Sequence, residues 1–215
     1  MSEREPRHPR LWRPRRPEDF DALYEGTPPW DIGRPQPAFL TVAEAGAITG
    51  RVLDVGCGTG EHAMLAARLG LEATGVDLAV AAIDAARVKA AERGLAVRFL
   101  RWNALDLAGL GERFDTVLDS GMFHVLDDGD RPAYVAGLTA ATEAGGRLHL
   151  LCFSDRQPGM LGPRRVSQDE LRASFADGWR VEGIEASTID TVRDGYTVQA
   201  WLATFTRVEA GRRMA

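Results

Sequence analysis

A chain of 215 residues, 45% hydrophobic and 27% charged, is long enough for one domain with a sizeable core and has the composition of a soluble globular protein. No apolar run approaches the roughly 20 residues needed to span a bilayer, and no secretory leader is visible at the N-terminus. A formal charge of −5 argues against general nucleic-acid binding, and the two cysteines, Cys57 and Cys152, make neither a disulfide framework nor a metal spacing, so a reduced, cytoplasmic protein is expected.

The charge is uneven along the chain. Residues 1–16 carry six arginines against Glu3 and Glu5, a local +4. Such an arm reads as a solvated tail, or more sharply as a clamp over an anionic ligand or a weak nucleic-acid contact. Next comes YEGTPPWDIGRPQPAF, Tyr24 to Phe39. Pro28, Pro29, Pro35 and Pro37 stiffen it, while Gly26 and Gly33 permit turns. It is either a lead-in that packs Trp30 on the core or a cover that closes a site and sheds water.

After residue 50, strand-like and helix-like segments alternate. RVLDV reads as a buried strand, GEHAMLAARLG as a helix closed by Gly70, and EATGVD as a second strand. LAVAAIDAARVKAAERG is an alanine-rich helix, followed by strands AVRFLRW and FDTVLDS. DRPAYVAGLTAATEAGG reads as a helix with Pro132 in its first turn and Gly145–Gly146 after it. RLHLLCFS is a fifth strand. Ser167 and Glu170 form a capping box that opens SQDELRASFA. WRVEGIEAS and YTVQAWLATFTRV close the chain as two strands, the second alternating enough to suggest an antiparallel neighbour. The alternation predicts an α/β domain with a mostly parallel sheet. Ligands on such sheets sit beyond the carboxyl ends of the strands.

The first strand runs into VLDVGCGTGEH, Val52 to His62, with glycines at 56, 58 and 60. A dinucleotide loop has the form G-x-G-x-x-G. Here Glu61 takes the place of the third glycine, and with Asp54 it would set two negative charges beside a pyrophosphate. A ligand with a positive ammonium and a sulfonium, S-adenosylmethionine, suits that charge better. Asp77 ends the second strand, 21 residues after Gly56, where a carboxylate can accept both ribose hydroxyls of either cofactor; its plainer role is a helix N-cap. Asn103 or the N–H of Ala104 would hydrogen-bond an adenine edge, with Leu78 or Trp102 covering its face. As the plainer reading, that stretch is an ordinary loop.

VLDVGCGTG, GVDLA, NALDL and FDTVLDS, in this order and spacing, resemble the successive motifs of class I S-adenosylmethionine-dependent methyltransferases. The resemblance implies a three-layer, Rossmann-like, seven-stranded sheet with a reversed last strand and helices on both faces. By it, Asp54 and the loop residues Gly56, Cys57 and Gly58 lie at the cofactor, Asp77 holds the ribose, and Asn103 and Ala104 sit by the adenine. Asp119 faces the methionine ammonium and the substrate. Residues 1–49 are then the arm and active-site cover, and 50–215 the catalytic domain. The segment Trp30-Asp31-x-Gly33-x-Pro35, with FDTVLDSGMFHVL and FSDRQPGMLGPRRVSQDELRASF, is similar to the small-molecule branch that includes thiopurine, thiol and halide methyltransferases. It is closest there to bacterial heterocyclic-toxin methyltransferases. That implies cofactor contacts from Trp30 and Gly33, with Arg34 and Gln36 at the same mouth.

The expected reaction is in-line methyl transfer to sulfur or oxygen of a small heterocyclic, phenolic or thiol acceptor. Alignment supplies most of the acceleration, up to about 7–11 kcal/mol in well-aligned intramolecular cases. His124, five residues after Asp119, is the candidate base, with a structural histidine as the alternative; its unperturbed pKa is about 6.5. Tyr24, Arg34, Met122, Phe123 and Asp155 are candidate walls of the acceptor pocket, and Asp155 reads equally well as part of a surface turn. His62 and His149 read as orienting and structural. No metal site is visible. Alternatives are a halide or hydrosulfide methyltransferase, a nicotinamide-dependent oxidoreductase, or a non-catalytic cofactor-binding regulator.

Overall fold

The computed structural model describes residues 21–159, 162–193 and 195–209; the arginine-rich arm at residues 1–16 lies outside them. Among the described residues seven strands form one sheet: β1 (Val52–Val55), β2 (Ala73–Asp77), β3 (Arg98–Arg101), β4 (Phe114–Ser120), β5 (Thr142–Phe153), β6 (Trp179–Asp190) and β7 (Thr197–Arg207). Their order is β3-β2-β1-β4-β5-β7-β6. β1 to β5 pair in parallel, and β7 runs antiparallel to both β5 and β6. The chain moves outward from β1 to β3 and then returns to place β4 on the other side of β1. That reversal is the switch point at which such sheets open a crevice.

The helices are α1 (Pro37–Glu44), α2 (Glu61–Arg68), α3 (Val80–Glu92), α4 (Arg131–Ala141) and α5 (Gln168–Ser174). They cover both faces because successive strand residues point opposite ways. Leu53 and Val55 of β1 pack in one cluster with Tyr134 and Leu138 of α4. Val52 packs in another with Phe39 of α1 and Leu65 of α2. Phe39 is fully buried, a burial that contributes about 1.5–3 kcal/mol. Residues 38–48 therefore share the core of the domain that follows them.

Three local features differ from the sequence reading. The helix expected to reach Gly145 stops at Ala141, and Thr142 is already extended and paired with Phe114. The Thr142 hydroxyl donates to the Leu138 carbonyl, and Gly146 has no room for a side chain, since a Cβ there would lie 2.9 Å from the Glu143 carbonyl oxygen. Helix α1, with Pro37 in its first turn, was not foreseen. Nor was the 3-10 segment Ala104–Leu110. At α5 the Ser167 hydroxyl accepts from the Glu170 N–H, as a capping box requires, while the Glu170 carboxylate turns to Arg131 and Arg164.

The reversed strand decides where the last turn lies. Phe153, the end of β5, pairs with Ala200 near the start of β7. The β6–β7 turn therefore emerges at the carboxyl edge of the parallel strands, on the same side as the glycine loop.

Candidate active site

At the carboxyl end of β1 the backbone turns on three glycines with positive φ, Gly56 at 65°, Gly58 at 52° and Gly60 at 86°. Only glycine takes that left-handed conformation readily. Space is also short: a Cβ on Gly58 would lie 2.9 Å from the Tyr24 hydroxyl, and one on Gly60 would lie 2.5 Å from the Phe99 ring.

Three carboxyl groups underlie this loop. Asp54 is buried; its Oδ2 accepts the Ala63 N–H of α2 at 3.0 Å, and its Oδ1 has no partner. Asp77 ends β2, accepting the N–H groups of Gly58 and Ala79, each at 2.9 Å, so it ties the glycine loop to the start of α3. Asp119 is fully buried and accepts from Met122 N–H at 2.7 Å, Phe123 N–H at 3.1 Å and the Tyr134 hydroxyl at 2.8 Å. Burial pushes the Asp54 carboxyl up to about 7, and the charges of Asp77 and Asp119 add to that rise. Burial likewise lifts Asp119 to about 7 against its hydrogen bonds, and raises Asp77. Such a trio repels a pyrophosphate. It fits a ligand bearing positive charge.

The proline-rich segment lies across this edge, fastened at both ends. At the glycine loop, the Thr59 hydroxyl donates to Asp31 Oδ1 at 2.9 Å and accepts from Lys89 Nζ at 2.7 Å; Lys89 also sits 3.5 Å from Asp31 and 3.4 Å from Glu61. At the other end, Val192 N–H donates to the Pro29 carbonyl at 2.9 Å. The Gln36 amide exchanges two hydrogen bonds with the Asp190 backbone, and Arg34 pairs with Asp190 at 2.7 Å. Gln36 N–H also donates to His62 Nε2, which fixes the His62 proton on Nδ1; burial lowers this imidazole to about 4. Tyr24 lies over Gly58, its phenol held well above the usual range by burial first and then by Asp77.

The structure gives several of the expected site residues other contacts. His124 does not suit a general base. It is buried, and its Nδ1 accepts the Phe153 N–H at 3.0 Å, so the ring proton sits on Nε2 and the basic lone pair is occupied. Burial, with Arg131 and Arg165 nearby, lowers it to about 3. Asp119 accepts hydrogen bonds from the turn that follows β4 and from Tyr134, and so holds Met122 in place. Phe123 is fully buried beneath the Arg131 guanidinium and beside Phe175, in the core and not in a pocket wall. Trp30 is 43% exposed, so it does not pack into the core. Asn103 uses its carbonyl oxygen to cap Leu105 N–H. Asp155 accepts from the Trp201 indole at 3.1 Å on an exposed turn.

Other placements leave the expected roles in reach. Met122 lies against Gly56, 3.3 Å from where a Cβ would be. Cys57 is buried behind the loop. Leu78 and Ala104 sit at the ends of β2 and β3, and Gly33 makes an exposed turn at φ 68°. His149 bridges Thr204 and the Ala47 carbonyl, a structural role. The Asp31–Thr59–Lys89 cluster, the Asp119–Tyr134 contact and the Gln36–Asp190 pair carried no sequence signal, since their members are 15 to 154 positions apart.

A switch-point crevice with a glycine loop, two buried carboxyl groups, a half-buried third and a fastened cover defines a cofactor site of the Rossmann-like kind. The family profile of the methyltransferase domain matches residues 52–146. A 2-heptyl-1-hydroxyquinolin-4(1H)-one methyltransferase of Mycobacteroides abscessus is 36% identical over 82% of this chain and 83% of its own. A probable thiol methyltransferase of Arabidopsis thaliana is 28% identical over 67% of this chain and 65% of its own. A solved structure concerned with conversion of a disulfide bond into a thioacetal group during echinomycin biosynthesis is 42% identical, with a TM-score of 0.83 over 90% of this chain and 93% of that one. The chain belongs to the S-adenosylmethionine-dependent methyltransferases, and S-adenosylmethionine is its cofactor. This settles the choice against a nicotinamide-dependent oxidoreductase.

Proposed function

We propose that the protein methylates oxygen or sulfur of a small heterocyclic, phenolic or thiol acceptor. The observation that carries the reading is the unpartnered Asp54 Oδ1 at a buried carboxylate cluster beneath a two-ended cover. The names of the related enzymes support the acceptor class. The cofactor supplies a methyl group on a sulfonium, a good leaving group. The chain's own work is to hold, align and dry. Asp54 and Asp77 offer carboxylates to the amino and ribose ends. Gly56 and Gly58 let the loop approach closely. Met122, held by Asp119, sets an apolar side to the reaction space.

With His124 neutral and protonated on Nε2, no strong base is supplied there. This favours acceptors that ionise near neutrality, such as thiols with a pKa of about 8.5 or acidic hydroxylated heterocycles, over phenols of about 10. Both cysteines are free and no helix among the described residues is long and apolar enough to cross a membrane; these support a cytoplasmic location.

The test is S-adenosylhomocysteine release with a panel of an aromatic thiol, a phenol, a hydroxyquinolone, iodide and hydrosulfide. Turnover strongest on the acidic aromatic acceptors is expected. Turnover on iodide or hydrosulfide alone would overturn the acceptor class. Cofactor binding without any turnover would instead favour a regulator.

A further inference from the structure

Arg131 opens α4, yet its side chain is only 7% exposed. Its Nη1 donates to the Glu170 carboxylate of α5, and Asp128 lies 3.7 Å from the same nitrogen. The guanidinium stands over Phe123, 4.7 Å from the ring centroid. Its other two nitrogens, Nε and Nη2, are buried and have no hydrogen-bond partner. These two form one edge of the guanidinium, and their N–H bonds point the same way. That edge is the fork on which a planar two-oxygen anion makes two parallel hydrogen bonds. A buried cation with more than half of its donors unpaired is costly, so the arrangement points to a partner.

The charge around this fork is positive. Arg164 shares Glu170 with Arg131 and also pairs with Asp128, whose side chain is largely exposed. Arg165 lies over the Phe153 ring at 5.5 Å; it donates to the carbonyls of Gln157, Gly159 and Pro163 and, among the described residues, pairs with no carboxylate. Three arginines thus face Glu170 and Asp128. Asp119, one turn along α4 at Tyr134, has its own donors, and Asp155 and Arg156 offset each other at Trp201. His124 registers the field: after burial, Arg131 and Arg165 hold its imidazole down. Water would satisfy the hydrogen bonds of the fork but not the charge. Ser154 supplies another buried donor without a partner. It follows Cys152 by two residues, so both side chains share the sheet face that packs on α4, and Cys152 feels the charge of Arg131.

We propose that the Nε–Nη2 edge of Arg131 is a binding site for a small planar oxoanion, a carboxylate or bicarbonate, with the Ser154 hydroxyl as a third donor. The two oxygens meet Nε–H and Nη2–H in the plane of the guanidinium. Phe123 covers one face of that plane and the fork is closed to solvent, which restricts the site to small ions. The bound ion joins three elements: the start of α4, the start of α5 through Glu170, and the turn after β4 through Phe123. That turn also sets Met122 against Gly56, so the ion steadies one wall of the reaction space without touching cofactor or acceptor. The site goes beyond the methyl-transfer reading and does not depend on which acceptor is used.

The experiment follows the melting temperature of the full chain in sodium formate and in sodium chloride at equal ionic strength. Formate should raise it above the chloride value, by about 3–6 °C at ten times the formate dissociation constant. Arg131→Lys keeps the charge but removes the fork, and should abolish the difference. Glu170→Gln keeps an oxygen for Nη1 but removes the opposing charge, and should tighten formate binding at least about fivefold. Equal melting temperatures in the two salts overturn the proposal and leave ordered water at the fork. A formate effect undiminished in Arg131→Lys overturns it as well. Should that variant fail to fold, Glu170→Gln decides, and a formate response unchanged from the wild type refutes the site.

Discussion

Asp54 is the residue at which stability and function should oppose each other. Its carboxyl is raised from 3.8 to about 7, so the folded chain holds this proton more tightly than the unfolded chain does. In the cofactor-free protein the contribution of Asp54 to stability is then fully present below about pH 4, is lost as pH rises, and levels off above about pH 7. At about 1.36 kcal/mol per unit, a rise of about three units makes the ionised Asp54 cost on the order of 4 kcal/mol at pH 8. Asp54→Asn removes that cost. Its carbonyl still accepts from Ala63 N–H, and its NH2 group replaces the orphaned oxygen. Thermal melts of cofactor-free wild type and variant at pH 4.5 and pH 8 check this. The variant should gain on the wild type by roughly 5–15 °C more at pH 8 than at pH 4.5. At pH 8 it should also bind S-adenosylmethionine at least about tenfold more weakly, having lost a charged partner for the cation. Equal melting differences at the two pH values, with cofactor affinity unchanged, would refute the reasoning.

Wild-type affinity for S-adenosylmethionine should itself rise between pH 6 and pH 8, because a cation favours the ionised forms of Asp54 and Asp119, both near 7; calorimetry in buffers of different ionisation heat should detect the released protons. His124→Gln should destabilise the fold through loss of the Phe153 contact, by about 1–3 kcal/mol, read as a lower melting temperature. It should leave the pH–rate profile unmoved, whereas loss of a basic limb would restore His124 as the base. Thr59→Val breaks the link among Asp31, Thr59 and Lys89; stopped-flow measurements should find faster cofactor release with little change in melting temperature. Gly60→Ala meets both a positive φ and the Phe99 ring at 2.5 Å, so cofactor binding and stability should fall together, the latter by about 1–3 kcal/mol.

Much of this site was readable along the chain because its requirements are local. The glycines at 56, 58 and 60 are set by positive φ at each position. The place of Asp77 follows from its position at the end of a short buried strand. Tertiary packing overrode the reading at His124, where the motif position was suggestive but the Phe153 amide, 29 residues away, claimed the lone pair. Asp119 likewise gains a partner the motif did not reveal, the Tyr134 hydroxyl on the next helix. The length of α4 was misjudged because Thr142 to Gly146 suit a helix end in composition, and only pairing with β4 shows them to be strand.

The sequence by itself determined the α/β class and the cofactor, since strand–helix alternation, a glycine turn and the sign of nearby charge are short-range properties. The tertiary structure decided the rest. It set which histidine nitrogen holds a proton, which carboxylate oxygen is left unpartnered, how Asp31 reaches Lys89, and how the reversed β7 brings the β6–β7 turn to the carboxyl edge. Those outcomes depend on groups far apart in the chain, competing for the same hydrogen bonds and the same buried space, and that competition is resolved only when the chain is folded.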